Sequence, residues 1–477
     1  MKNLKYIVTF YVVVSSINIG CKKFIEAKLP VDQISGPFVF QSKQSAVLAL
    51  TGIYAGMAGA GANPSFNDFA VGERGISIKA GLWADELIHS SPFQEDYVNR
   101  FEDNTGVGIW TDCYKSIIYN ANSVIDGTSR SNALTDADKS ILIGEAKFIR
   151  AMAYFYLVNF FGDIPLVLTT DLQSNSSIAR TSTNQVYDQI ILDLKDAQGN
   201  LKDSYLSSDL YTQTNERVRP NRFTATALLS RVYLFKKEWR NALDESAKII
   251  NNLTAYGLTD LNEVFVKNSR EAIWQLQTNA LGLDGLNTPD GRVFLDVASQ
   301  HSLSEFLLSK FEPNDKRRSN WVTSMNGQYV PFKYKKGRKT DSDPQLQSEE
   351  YTMVFRLSEQ YLIRSEAEAQ LGLLSDSRAD LNVIRERAGL QAVTTNIQSE
   401  ILDAILRERQ VELFTEWGHR WLDLKRTEKL DEVMSVLTPK KGGTWNSYKA
   451  LLPIPYDEIK LNPLLRGHQN PGYPEQR

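Results

Sequence analysis

Gly144-Glu-Ala-Lys-Phe-Ile-Arg-Ala-Met-Ala-Tyr-Phe-Tyr-Leu-Val158 is the stretch on which the reading of this 477-residue chain turns. Ala146, Ile149, Ala153 and Tyr156, with Leu157 beside it, recur at the spacing that brings side chains onto one face of an α-helix. Glu145, Lys147 and Arg150 fall between them, as expected of an outer face carrying ion pairs. The same periodicity runs from 137 to 161, and Gly162 and Pro165 end it.

Working outward, helical spacing also marks 44–57, 109–125, 185–201, 399–417 and 419–430. Two further stretches read as helical hairpins, 222–236 with 238–251 and 361–373 with 375–388. In the first, Ala227 and Leu234 precede Ala242; in the second, Ala367 and Leu371 precede Ala379. Leu234–Ala242 and Leu371–Ala379 have equal spacing, and small residues at helix crossings follow the packing logic of tetratricopeptide hairpins. Residues 257–356 differ, carrying Gly, Asn, Asp and Ser with scattered aromatics and short strand-like runs at 272–277 and 329–334. The expected fold is mainly α: a tetratricopeptide-like helical-hairpin scaffold at about 42–58, 105–256 and 357–430. Loop-rich parts with short strands fill about 59–104 and 257–356. Loops held on a rigid scaffold are where binding residues gather.

The first residues read differently. Lys2 and Lys5 precede a mostly apolar run from Tyr6 to Ile19, too short for the roughly 20 residues of a membrane-spanning helix but suited to a secretory signal. Gly20-Cys21 resembles the lipobox of bacterial lipoproteins, with Asn18 a departure from the aliphatic residue usual three positions before the cysteine. Residues 1–20 are therefore expected to be a signal peptide, Cys21 the lipidated residue, 21–41 a tether and 42–477 the folded domain. Several acyl chains on one cysteine suffice to anchor a protein. Removing the signal, which holds two lysines and no acid, takes the formal charge from −3 to −5. Cys113, at helical spacing beside Trp110, Tyr114 and Ile117, reads as a buried structural thiol.

Composition excludes other classes. Lys and Arg total 54 against 57 Asp and Glu, without the basic excess of a nucleic-acid binder. A mean hydropathy of −0.33 excludes a multi-span membrane protein. Four histidines without HExxH or a Cys–His pattern support no zinc site. A calcium ion on loop carboxylates is compatible with the chain, although EF-hand spacing is absent. Asp85-Glu86 is the most enzyme-like pair, but neighbouring residues diverge on a strand or helix and cannot flank a sugar as glycosidase carboxyls do.

Taken together, several segments in one order resemble the SusD/RagB family. They are 144–158 followed by Phe161-Gly-Asp-Ile-Pro-Leu166, then 351–369, Leu381-Asn-Val-Ile-Arg-Glu-Arg-Ala-Gly389, Arg407-Glu-Arg-Gln-Val-Glu-Leu413, Gly418-His-Arg-Trp-Leu-Asp-Leu-Lys-Arg426, and the Pro-rich end from Pro453 to Tyr473. The resemblance implies a surface lipoprotein of the outer membrane that captures an oligosaccharide, without cleaving it, for a SusC-like TonB-dependent barrel. A peptide ligand, or a structural lid with little affinity of its own, are the alternatives it leaves open. The family's binding aromatics come from the loops before the second helix pair and from the mid-chain insert. Trp83, Phe93 and Tyr97 occupy the first location here, and Trp321 and Tyr329 the second. Aromatic rings suit the apolar face of a sugar, and Asn99, Arg100 and Asn320 are expected polar partners. The run Lys333, Lys335, Lys336, Arg338 and Lys339 reads as a solvated loop or a contact for an acidic glycan or the barrel rim. Trp445, in a Lys/Gly loop, is a second candidate for the barrel.

Overall fold

The computed structural model describes residues 39–59, 69–278, 287–336 and 348–474. Its longer elements, in chain order, are α1 (Lys43–Met57), α2 (Ile76–Trp83), β1 (Leu87–His89), α3 (Tyr119–Arg130), α4 (Asp136–Phe161), α5 (Thr183–Asn200), α6 (Arg222–Phe235), α7 (Trp239–Ile250), β2 (Ala272–Leu276), α8 (Pro289–Leu295), β3 (His301–Leu303), β4 (Val322–Met325), β5 (Gln328–Pro331), β6 (Thr352–Arg356), α9 (Leu357–Gln370), α10 (Leu374–Arg387), α11 (Gln398–Glu412), α12 (His419–Arg426) and α13 (Leu430–Lys440). The fold is mainly helical, as the periodicity predicts. Among the described residues its strands form two-stranded antiparallel pairs, β1 with β3, β2 with β6, β4 with β5, and Ile164–Pro165 with Arg180–Thr181. Cys21, Arg338 and Lys339 lie outside the described residues.

The central helix α4 is more deeply placed than its pattern suggests. Thr135 caps it reciprocally with Asp138, and from Ile141 onward nearly every side chain is buried. Of the three charges expected on an outer face, only Lys147 is part exposed, pairing with Asp196, while Glu145 and Arg150 are buried. Glu145 accepts from Tyr54 Oη at 2.9 Å and from Arg219 at 2.7 Å, and Arg150 grips Asp193 through two nitrogens at 2.7 and 2.8 Å. A helix that is apolar nearly all round is packed on all sides, and its few charges must then be paired. Cys113 is buried in the same core, burial and the neighbouring Asp112 raising its thiol well above the usual range.

Three antiparallel hairpins, α6–α7, α9–α10 and α12–α13, share one turn. The middle turn residue is left-handed in each, Lys237 at φ 59°, Gly372 at 78° and Glu428 at 62°. The following amide closes back on the helix at Tyr233, Glu368 and Leu424, while the left-handed residue bonds Leu234, Ala369 and Lys425. That is the Schellman arrangement, and its recurrence identifies the repeat better than composition does. It also corrects the register: Ala242 corresponds to Ser377, not to Ala379. Leu371 and Ala379 are exposed, and the crossing is made where Ser365 and Ser377 exchange hydroxyl-to-carbonyl bonds at 2.8 and 2.7 Å.

The loop-rich insert has its own small core, with Trp321, Phe265, Tyr334, Phe294 and Phe414 packed on Ile78, Leu82 and Leu87 of the first loop segment. A buried ion network ties this insert to α11. Arg317 meets Glu408 and Glu412 at 2.6 and 2.9 Å. Arg356 meets Glu271, Glu412 and Glu416 at 2.9, 2.6 and 2.8 Å. Lys333 joins it, donating to the carbonyls of Glu412 and Phe414 and to Glu416. The basic run is thus not a solvated patch at Lys333, because that ammonium neutralises buried carboxylates. Such networks fix geometry more than they add stability, and removing one partner is costly.

Candidate functional site

Helix α2 decides the fate of one expected ligand contact. Ile76-Ser-Ile-Lys-Ala-Gly-Leu-Trp83 is buried except at Lys79, so it lacks the two-faced pattern by which a short helix is recognised. Trp83 at its end is 0 % exposed and is ringed edge-on by Phe101, Phe160 and Trp421. Its Nε1 donates to Asp96 at 2.7 Å. Asn99 is equally buried, in the left-handed region at φ 55°, donating to the Trp83 carbonyl and accepting from Thr438. Trp321 is 0 % exposed too, donating from Nε1 to the Leu261 carbonyl at 2.8 Å. These three expected ligand contacts are corrected: they hold up the loops from beneath and present no surface. Trp83 fills the main core and Trp321 the insert's own smaller one.

The other candidates are accessible to different degrees. Phe93 stands 78 % exposed on the rim of a groove of about 720 Å³, whose other lining includes Lys79, Gln94, Glu95, Glu102 and Asn104. Gln94 shapes this loop by accepting from the Tyr97 N–H at 2.6 Å and donating to Asp96 at 3.2 Å. Tyr97 is half-buried, with Lys441 Nζ 5.5 Å from its ring, and Arg100 is exposed. Tyr329 is 43 % exposed, one side of its ring covered by the Arg318 guanidinium at 4.3 Å. Asn320 spends its amide on the Lys316 carbonyl of its own helical turn, at 2.7 Å. Trp445 is half-buried against Trp421 and donates to Asp431.

A second groove, of about 480 Å³, lies between Val71–Arg74 and the segment from Pro289 to His301. Among the described residues that line it, His301 has the one aromatic ring, so no aromatic signal in the sequence marked it. Arg74, Glu73, Arg292, Asp296 and Gln300 line it instead. The two grooves approach one another at the β1–β3 ribbon: Gln300 accepts from the Ser90 N–H at 2.8 Å, three residues before Phe93. His89 and His301 face each other across that ribbon with ring centres 5.1 Å apart. Burial, helped by His89, lowers His301 to about 4, so it is neutral near pH 7. The hairpin β4–β5 braces the same edge, Asn326 donating to the Val297 carbonyl at 3.1 Å.

Asp85 and Glu86 line neither groove. Asp85 is bound by Arg420 through Nε and Nη2 at 2.9 and 2.8 Å. Glu86 is raised to about 8 by burial and the adjacent Asp85. Both are 2 % exposed and neither reaches a place where a sugar could lie. Among the described residues, no three His, Cys, Asp or Glu side chains are grouped to hold a metal ion.

Comparison with known proteins agrees with this architecture. A family profile described as "SusD family" matches residues 308–473, and one described as "Starch-binding associating with outer membrane" matches 41–234. SusD-like protein P2 of Formosa agariphila is 26 % identical, over 98 % of this chain and 100 % of its own. A SusD superfamily protein from Bacteroides vulgatus superposes with a TM-score of 0.75 at 23 % identity, over 89 % of this chain and 98 % of that one. A laminarin-binding SusD-like protein superposes at 0.72 and 23 % identity, over 91 % and 100 %. The two profiles cover the two halves of the helical scaffold; the first includes the loop segment that lines the Phe93 groove, and the second reaches into the mid-chain insert. The chain belongs to the SusD family, whose members are outer-membrane-associated, glycan-binding surface proteins and not enzymes.

Proposed function

We propose that this protein captures an oligosaccharide on its loop-rich face and delivers it to a SusC-like TonB-dependent barrel in the outer membrane, held there by lipid on Cys21. The observation that carries the reading is Phe93, a large apolar ring left 78 % exposed at the rim of a groove in a chain whose family binds glycans. A singly exposed ring is common on protein surfaces, but one on the rim of a polar groove is placed where a ligand in that groove covers it. A sugar's apolar face does so while the surrounding Gln94, Asn104 and carboxylates bond its hydroxyls. Arg100, Tyr97 and Tyr329 are the accessible survivors of the expected contact set. The second groove, polar and aromatic-poor, extends the surface for further units of an extended chain. Titration against a panel of oligosaccharides, with Phe93→Ala as the control, tests the reading.

A further inference from the structure

Both walls of the Phe93 groove rest on one distant stretch of chain. The first wall carries Phe93 to Asp96, and the facing wall is Glu102 to Gly106. Behind them runs the segment that leaves α13. Gly442 turns it out of the helix, left-handed at φ 87°, with its N–H on the Pro439 carbonyl and that of Gly443 on the Thr438 carbonyl, both at 3.0 Å. This is the Schellman turn of the hairpins, but here it delivers the chain to the back of the groove. Lys441 Nζ donates to the carbonyls of Leu82, at 2.7 Å, and Ala84, which close the end of α2, where the helix dipole favours a cation. Thr438 Oγ1 donates to Asn99 Oδ1 at 3.0 Å and Lys449 Nζ to the Asn99 carbonyl at 2.9 Å. The loop that bears Phe93 is thus gripped at both its start and its end. The facing wall is met at Gly106, where an added Cβ would stand 2.6 Å from Leu452 Cδ1.

Gly443 is the tightest point. A Cβ there would stand 1.9 Å from the Val98 carbonyl oxygen and 2.9 Å from its carbon, where Cβ atoms keep at least 3.0 Å. The obstacle is backbone and cannot swing aside, so a side chain would force loop and segment apart by about 1 Å. Val98 passes such a shift on, because the N–H groups of Val98, Asn99 and Arg100 bond back to the carbonyls of Gln94, Asp96 and Glu95, which line the groove beside Phe93. A binding constellation must be held to about 0.5 Å, and one about 1 Å loose fails. We infer that Thr438–Leu452 is a strap that sets where the Phe93 loop stands, with Gly443 and Lys441 as positioning residues for a ligand in the groove. The binding half of this inference rests on the proposed glycan capture; the strap itself does not.

Amide hydrogen exchange on the free, full-length protein tests the strap without any ligand. Gly443→Ala and Lys441→Met each exchange severalfold faster than the wild type in the peptide spanning 94–100, while the α6–α7 hairpin is unchanged. Gly372→Ala is the matched control. Its φ of 78° strains an alanine, but among the described residues the added Cβ meets nothing within 4 Å. It lowers the melting temperature and leaves exchange at 94–100 and affinity as they were. Wild-type exchange at 94–100 in Gly443→Ala, or an equal rise in Gly372→Ala, overturns the strap. Should Gly443→Ala fail to fold, wild-type exchange in Lys441→Met does the same. Titration with an oligosaccharide that the wild type binds is the second arm: Gly443→Ala weakens it about tenfold or more, since the loop is no longer preorganised, and Gly372→Ala does not. Faster exchange at 94–100 with unchanged affinity overturns the link to binding. If no oligosaccharide binds any variant, the proposed function fails while the exchange arm still decides the strap.

Discussion

Replacing Trp83 with alanine separates a ligand surface from a loop foundation. The indole is fully buried among Phe101, Phe160 and Trp421, and its Nε1 holds Asp96. Truncating a buried Trp costs about 3–5 kcal/mol in lost transfer energy and cavity, and the lost bond to Asp96 adds about 1 kcal/mol. The sum is about 4–6 kcal/mol. Unfolding entropy of ~2.1 cal/mol/K per residue, over roughly 400 ordered residues, makes each degree worth about 0.9 kcal/mol. Trp83→Ala should therefore melt about 4–7 °C below the wild type in scanning calorimetry, whereas Trp83→Phe, which keeps a ring, should lose about 1–2 °C. Glycan titration well below the transition should show a modest change, transmitted through the 94–99 loop. An unchanged melting temperature together with abolished binding would refute the argument, because it would place the indole on the ligand.

Two other predictions concern the network and the anchor. Glu412→Ala leaves Arg317, Arg356 and Arg387 facing one another without their shared carboxylate, and about 3–5 kcal/mol of stability should go with it. Burial alone would raise Glu412, but Arg387, Arg356 and Arg317 overcome this and hold it well below the usual carboxylate range. Its contribution is thus present above the unfolded value of about 4.3 and lost as pH falls through the folded one. Melting temperatures measured from pH 7 to pH 3 should drop less steeply in Glu412→Gln than in the wild type; parallel curves would contradict that assignment. For the anchor, palmitate labelling in cells should disappear in Cys21→Ala, and persistent label would remove the lipid from the account.

The scaffold was legible because its signal is repetitive. Periodic apolar positions placed α4, α5 and both long hairpins to within a few residues, since burying one face is what holds those helices. The register of the second hairpin was not legible from small residues alone: the Schellman turn, with Gly372 where the first hairpin has Lys237, fixes it two residues away. α2 escaped because a helix buried on nearly every side shows no alternation. The candidate site was only half readable. Phe93 could be found, as an aromatic in a polar loop, but Trp83 and Trp321 carry the same local signature and are core. What distinguishes them is partners far away in sequence, Asp96 with Trp421 in one case and Leu261 with Phe265 in the other. The polar groove of Arg74, Arg292 and His301 gave no pattern at all, because its walls meet only after folding.

Isothermal titration of the wild type and Phe93→Ala against the same oligosaccharide panel is the most direct test of glycan capture on this face. Covering a Phe ring is worth about 1.5–3 kcal/mol, so at least one oligosaccharide should bind the wild type and bind Phe93→Ala roughly ten- to a hundredfold more weakly. The melting temperature should not change, since the ring makes little contact with the fold. Wild-type affinity retained in full by Phe93→Ala, or no oligosaccharide bound at all, would contradict the account.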